Sequence, residues 1–247
     1  MLKGPLTGGK TTYGEVLGII MIERHFPRIP GEMGNASTFE FPVRLRVVKG
    51  VDVSIRRKMH AGDSALIEPF ILAARELEAD GVKAITSNCG FLVKYQDQMA
   101  DAVDVPVFAS SLLQIPIAYQ MLRRDQIIGV LTADARPKAL GKAHFEAAGA
   151  KDIPIVVAGM QDYESFKTFT EDRLTLDPEA VRDDLVDAAT KLLKQYPKIG
   201  AFVLECANMP PYSKWIHEAV GLPIFDFYTL TRMVYAAVVK KEFEGIM

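Results

Sequence analysis

Apolar positions along this chain gather in short runs separated by polar or amphipathic stretches. Residues 16–22, 43–48, 82–86, 105–109, 127–132, 153–157, 201–204 and 223–225 are rich in Val, Ile and other apolar residues, and runs of this length read as strands. Between several of them lie segments with helical spacing, at 63–79, 91–102, 112–122, 178–195 and 211–219. Strands alternating with helices imply mostly parallel sheets covered by helices.

Some helix ends are explicit. Asp177 before Pro178 is an N-cap followed by proline at the first helical position, and Leu185, Ala188, Ala189, Leu192 and Leu193 then recur on one face. Gly81 and Gly149 stand where C-terminal caps are expected. Two segments share one plan. GVKAITSNCGF (81–91) and IGAFVLECANMPPYS (199–213) each run from a glycine-containing apolar strand into a turn with a cysteine, then into a helix. The fold class read from this is α/β, with two pseudo-symmetric lobes and a site in the cleft between them. Residues 1–116 plus 222–247 are assigned to the first lobe, carrying Cys89, and 117–221 to the second, carrying Cys206. Each cysteine then sits just past the C-terminal end of a strand, the edge where open α/β sheets bind ligands. The loop 25–38 holds Pro27, Pro30, Gly31 and Gly34 and is expected at that edge, and the polar and aromatic connection 160–176 reads as a lid.

Composition narrows the functional classes. The 247 residues are 49% hydrophobic and 24% charged, enough to bury a core, in one large α/β unit or two intimate lobes. A formal net charge of -2 without long single-sign blocks argues against nucleic-acid or membrane-surface partners. The start MLKGPLTGGK has no signal-peptide core, and no apolar run approaches the ~20 residues of a membrane helix, so a cytoplasmic location is expected. There the chain's two cysteines are not expected to form a structural disulfide.

A literal P-loop pattern, Gly4 to Thr11, fails its context rule: only three residues precede it and a strand, not a helix, follows. The cysteines carry the stronger signal. A free cysteine can be a small buried hydrophobe, but a reactive one needs amide donors and a helix N-terminus to stabilise its thiolate. Cys89 is followed by Gly90 and a helix, and Cys206 by Ala207, Asn208, Met209 and two prolines. A thiol, with an ordinary pKa of about 8.5 that such surroundings lower, serves as base in one form and acid in the other. Two of them on opposite faces can remove and return a proton at a carbon next to a carboxylate. Amide donors around that carboxylate would stabilise the developing enolate without a cofactor.

Other polar residues have two readings. Asn35, Ser87, Asn88, Thr132 and Asn208, with the Gly90 and Ala207 backbone, are candidate ligands of a small carboxylate substrate; turn-making and capping is the alternative, favoured for Ser110. Glu205 either anchors its lobe or serves as a third proton-transfer group. His25, His60, His144 and His217 show no metal-ligand spacing, and no metal or cofactor is expected. Phe26, Phe39, Tyr95, Tyr212 and Trp215 are candidate pocket walls. A homodimer is the commonest symmetric assembly for such an enzyme.

FPRIPGEMGNASTF (26–39), AITSNCGF (84–91), VPVFASSLLQIP (105–116), GVLTAD (129–134) and VLECANMPPY (203–212) together resemble the aspartate/glutamate racemase superfamily over most of the chain. The resemblance implies two α/β lobes with pseudo-twofold symmetry, no cofactor, and one catalytic cysteine per lobe, Cys89 and Cys206. The superfamily also includes hydantoin racemases, maleate isomerases, arylmalonate decarboxylases and a dimethylsulfoniopropionate lyase. Amino-acid racemases of the group carry Asn or Thr after each cysteine where this chain has Gly90 and Ala207. Retention of both cysteines places racemisation or epimerisation first, with a carbon–sulfur lyase as the alternative and a non-catalytic ligand-binding protein as a third reading.

Overall fold

A computed structural model describes residues 4–51, 66–243 and 245–246. In chain order its elements are β1 (Leu17–Ile22), β2 (Val43–Val48), α1 (Glu68–Asp80), β3 (Ala84–Ser87), α2 (Gln96–Ala100), β4 (Val107–Phe108), α3 (Ile115–Gln120), β5 (Ile127–Thr132), α4 (Lys142–Ala147), β6 (Ile155–Gly159), α5 (Lys167–Glu171), α6 (Pro178–Gln195), β7 (Ile199–Leu204), α7 (Ser213–Val220), β8 (Ile224–Phe225) and α8 (Phe227–Val238). Short 3₁₀ turns lead directly into α2, α3 and α7.

The strands form two four-stranded parallel sheets, ordered β2-β1-β3-β4 and β6-β5-β7-β8. The second order repeats the first, which is the pseudo-symmetry expected from the two cysteine-bearing segments. Central strands β1, β3 and β7 are buried along their whole length, and so their sequences are continuous apolar runs. Gly18 in β1 lets Leu77 of α1 pack directly on the sheet, and Gly129 in β5 does the same for the Phe202 ring. Helix α6 lays Val181, Leu185, Ala188, Ala189 and Leu192 into the second core, with its N-terminus closed by Asp177 accepting from the amides of Glu179 and Ala180.

The structure moves one assigned boundary. Residues 224–225 pair with β7 and complete the second sheet, although 222–247 were assigned to the first lobe. Only the following helix returns: Phe227 and Leu230 of α8 pack with Leu17, Ile19, Ala84 and Phe108. Helices α4, α5 and α8 were not foreseen. The last begins with Asp226 accepting from the Thr229 amide while Thr229 Oγ1 accepts from the Asp226 amide. The connection 160–176 is partly core, since Phe166 and Phe169 are buried in it. The P-loop-like segment is irregular and leads into β1. Its Lys10 lies against Gly81, the left-handed residue that ends α1, a favourable place for a cation. His60 and the first residues of the helix expected at 63–79 lie outside the described residues.

Candidate active site

Each sheet has its reversal of strand order between its two central strands, β1/β3 and β5/β7. Loops leaving adjacent strands at such a point diverge to opposite faces of the sheet and leave a crevice. Both crevices contribute to a single cleft of about 510 Å³, counting its open mouth. Ile22 and Arg24 come from the end of β1, and Asn88, Cys89, Gly90 and Phe91 from the end of β3. Ala133 follows β5, and Glu205, Cys206, Ala207 and Asn208 follow β7. Phe26, Phe169 and Thr170 complete the lining.

Neither cysteine is in a disulfide, and both are half-buried at this cleft. Cys89 is the extended N-cap of the 3₁₀ turn Gly90–Tyr95, which runs on into α2. Its amide donates to Ser87 Oγ at 3.2 Å, and that hydroxyl donates to the Ala109 carbonyl at 2.6 Å. Asn88 ties the turn to the neighbouring strand, its Oδ1 accepting from the Ile22 amide at 2.8 Å. Cys206 is set off from the next helix as the sequence indicates, with Ala207, Asn208 and Met209 before the 3₁₀ turn Pro210–Tyr212 that opens α7. Asn208 Nδ2 lies 3.5 Å from the Cys206 Sγ, and a donor on sulfur favours the thiolate.

Glu205 lies between the two cysteine turns. It is 1% exposed and lines the cleft floor. Its Oε2 accepts from Thr132 Oγ1 at 2.9 Å and the Ala133 amide at 3.4 Å. Thr132 Oγ1 in turn accepts from the Asp134 amide, so its own hydrogen is committed to Glu205. The other carboxylate oxygen lies against Gly90, where even a methyl group would overlap it and the Glu205 carbonyl. A glycine is therefore required beside Cys89 for the two lobes to close at this point. Ser111 Oγ adds a second tie between the lobes, donating to the Leu204 carbonyl at 2.6 Å.

Of the expected substrate ligands, Asn88, Gly90, Ala207 and Asn208 line the cleft. Ser87, Thr132 and Asn35 do not, and the expectation for these three is corrected. The Ser87 and Thr132 hydroxyls are buried and spent on Ala109 and Glu205. Asn35 caps a 3₁₀ turn, accepting from Ser37 and donating to the Arg28 carbonyl. Ser110 caps as read, accepting from the Leu112 amide. Of the aromatic candidates only Phe26 reaches the cleft; Trp215 is largely exposed, and Phe39, Tyr95 and Tyr212 are packed elsewhere. Burial, and secondarily the charge of Asp177, push the Tyr212 hydroxyl up to about 12, so it stays a neutral phenol.

Arg24, Phe91, Phe169 and Thr170 were missed. Arg24 and Phe91 carried a usable signal, since both lie within a few residues of the strand edge that bears Cys89. Phe169 had none, because its place at the cleft depends on an edge-to-face contact with Phe26, ring centroids 5.1 Å apart, across the two lobes.

Two parallel α/β lobes with one thiol each at a shared cleft define a class of proteins. A profile described as Asp/Glu/Hydantoin racemase matches residues 46–231, and the chain belongs to that enzyme family. Among curated relatives, a dimethylsulfoniopropionate lyase of Durusdinium sp. clade D is 30% identical over 216 residues, covering 85% of this chain and 70% of the relative. Dimethylsulfoniopropionate lyase 7 of Emiliania huxleyi is 29% identical over 238 residues, covering 93% and 69%. Among solved structures, a mutant of arylmalonate decarboxylase superposes with a TM-score of 0.63 at 13% identity over 93% of this chain and 97% of that one. Picrophilus torridus aspartate racemase gives 0.60 at 14% identity over 94% and 96%. At these identities the solved structures speak to fold alone. Among the described residues no helix is long and apolar enough to cross a membrane.

Proposed function

We propose that this protein is a cofactor-independent enzyme that moves a proton at the carbon next to a carboxylate, with Cys89 and Cys206 as its proton-transfer groups, and that its reaction is carbon–sulfur lysis of a β-sulfonium carboxylate. The observation that carries the proton-transfer reading is that the chain's two thiols, from strand ends of different lobes, line one small cleft. The preference for lysis rests on the relatives: those named dimethylsulfoniopropionate lyase match 85% to 93% of this chain at up to 30% identity, whereas the likeness to racemases is at the level of fold.

The substrate carboxylate is expected to take donors from Arg24, Asn88 and the cleft amides, which stabilise charge as it develops on the α-carbon. The Cys206 thiolate, supported by Asn208, removes the α-proton. The electron pair of the broken C–H bond forms the α–β double bond, and the β-carbon–sulfur bond breaks with its pair leaving on sulfur. Acrylate and dimethyl sulfide result, and the proton on Cys206 returns to solvent. Cys89 at the same cleft, able to deliver a proton, is what keeps racemisation or epimerisation as the second reading. Incubation with dimethylsulfoniopropionate decides between them: acrylate and volatile sulfide in equal amounts are expected, and inversion of chiral α-substituted carboxylates without sulfide release would transfer the assignment to a racemase.

A further inference from the structure

The loop joining β1 to β2 carries a buried ion pair beside one wall of the cleft. Its Phe26 lines the cleft and is 5% exposed, and the Arg28 guanidinium lies over that ring, 4.6 Å from the centroid. Arg28 Nη1 donates to Glu32 Oε1 at 2.5 Å, and the other oxygen of this carboxylate, on a residue 1% exposed, accepts the Gly34 amide at 2.6 Å. Such a pair is weak grounds for stability, since apolar side chains of similar volume often serve as well. What it supplies is one fixed position for a long side chain. We propose that Arg28, held by Glu32, is a positioning residue that keeps the Phe26 ring in place as a cleft wall and so limits the bulk of the substrate group that packs against it.

Packing around the pair leaves Arg28 little choice of position. A methyl group at Gly34 would overlap both Arg28 Nη1 and the Met21 side chain, so the guanidinium is closed in beside the ring. The Arg28 carbonyl accepts from Asn35 Nδ2 at 2.9 Å and the Glu32 carbonyl from Thr38 Oγ1 at 2.8 Å, which fixes the backbone at both members of the pair. Gly31, between them, meets Pro211 of the second lobe so closely that a methyl group would overlap its backbone; the loop is thus set against both lobes. On the Phe26 ring itself, Phe169 packs edge-on, and Arg28 adds the stacked contact of a planar guanidinium, which a lysine does not reproduce. With Arg28 shortened, or released by loss of the Glu32 charge, the ring gains room to retreat and the cleft widens at that wall.

This role rests on the reading of the cleft as the substrate site, but it is measured without turnover. Both of the chain's cysteines lie at the cleft, so alkylation of the whole protein by N-methylmaleimide and by the bulkier N-cyclohexylmaleimide, equally uncharged, reports its width. The ratio of the two rates, followed by intact mass, is the readout. Wild type should favour the smaller reagent, and Arg28→Ala and Glu32→Gln should each shift the ratio toward the larger by at least about fivefold. A general loosening would instead speed both reagents alike. In a Phe26→Ala background, Arg28→Ala should change the ratio by less than about twofold. Where Arg28→Ala or Glu32→Gln does not fold, Arg28→Lys, which keeps the charge but not the planar stack, decides by a shift in the same direction. An unchanged ratio, a common rise in both rates, an equal shift without the Phe26 ring, or no alkylation in any form would each overturn the assignment. A shifted ratio without acrylate formation from dimethylsulfoniopropionate would sink the lyase reading alone; acrylate formation with an unchanged ratio would sink this one alone.

Discussion

Asp172 and His25, 147 residues apart, form the clasp between the two sides of the cleft mouth. Asp172 Oδ1 accepts the backbone amides of His25 at 2.7 Å and Phe26 at 3.1 Å, and its Oδ2 lies 3.0 Å from His25 Nδ1. Burial works against the charge on Asp172, but the hydrogen bonds from His25 and Phe26, with the nearby charge of Arg24, hold its carboxyl below the usual aspartate range. The clasp fixes Phe26 against Phe169, and both rings wall the cleft.

Asp172 ends α5 in the left-handed region, at φ 61, where among the described residues every other positive φ belongs to glycine. Asp172→Gly and Asp172→Ala both remove the carboxylate, but only alanine meets the steric penalty of that conformation. We expect losses of about 1–2 kcal/mol for glycine and about 1 kcal/mol more for alanine, measured by urea denaturation. Because the folded carboxyl titrates below its unfolded value, the clasp contributes in full above the ordinary aspartate pKa and is lost as pH falls through the lower folded one. The carboxylate-dependent part of each loss should therefore vanish at strongly acidic pH, leaving alanine's steric deficit relative to glycine.

Gly90→Ala tests the closure at the cleft floor. The added methyl overlaps Glu205 on a buried backbone, so the lobes must separate or the Cys89 turn must shift. Overpacking of this kind costs about 1–3 kcal/mol, and displacement of the thiol should lower kcat far more than a distant substitution of equal stability cost. Thermal unfolding and steady-state kinetics on the same preparation check both.

Much of this was legible in the sequence. LGIIMI, AITS and IGAFVL are uninterrupted because parallel strands are buried on both faces, and parallel strands all end at one edge; the two cysteines could thus be placed at one side of their sheets without coordinates. Contacts between the lobes were not legible, and they decide the finer detail. Nothing local marks Asp172 as the partner of His25, or Phe169 as the partner of Phe26. Ser87 and Thr132 misled for a related reason: a strand-end hydroxyl is equally suited to a ligand or to the scaffold, and burial settled both for the scaffold. Helix α8 was missed because its capping residues, Asp226 and Thr229, lack the glutamate or glutamine of the usual reciprocal cap.

His144, on α4, packs edge-on to the cleft residue Phe91, ring centroids 6.0 Å apart. Burial, and then the charge of Lys94, depress its pKa to about 4, and its Nδ1 accepts from the Gly141 amide at 3.2 Å. A histidine with a depressed folded pKa binds its proton more readily unfolded, so stability falls as pH drops from about 6.5 toward 4. By pH 5 the loss should reach about 1–2 kcal/mol. His144→Gln should be less stable at neutral pH yet show a shallower decline over that window in denaturation curves; an unchanged slope would remove His144 as its source.

The central step is removal of an α-proton by the Cys206 thiolate. Its most direct measurement is the loss of α-hydrogen from dimethylsulfoniopropionate in deuterated water, followed by NMR for wild type and Cys206→Ala, with folding verified for each. Wild type should consume the α-hydrogens, and folded Cys206→Ala should do so at least about a hundredfold more slowly. A folded Cys206→Ala that keeps the wild-type rate, or a wild type that leaves those hydrogens in place, would contradict it.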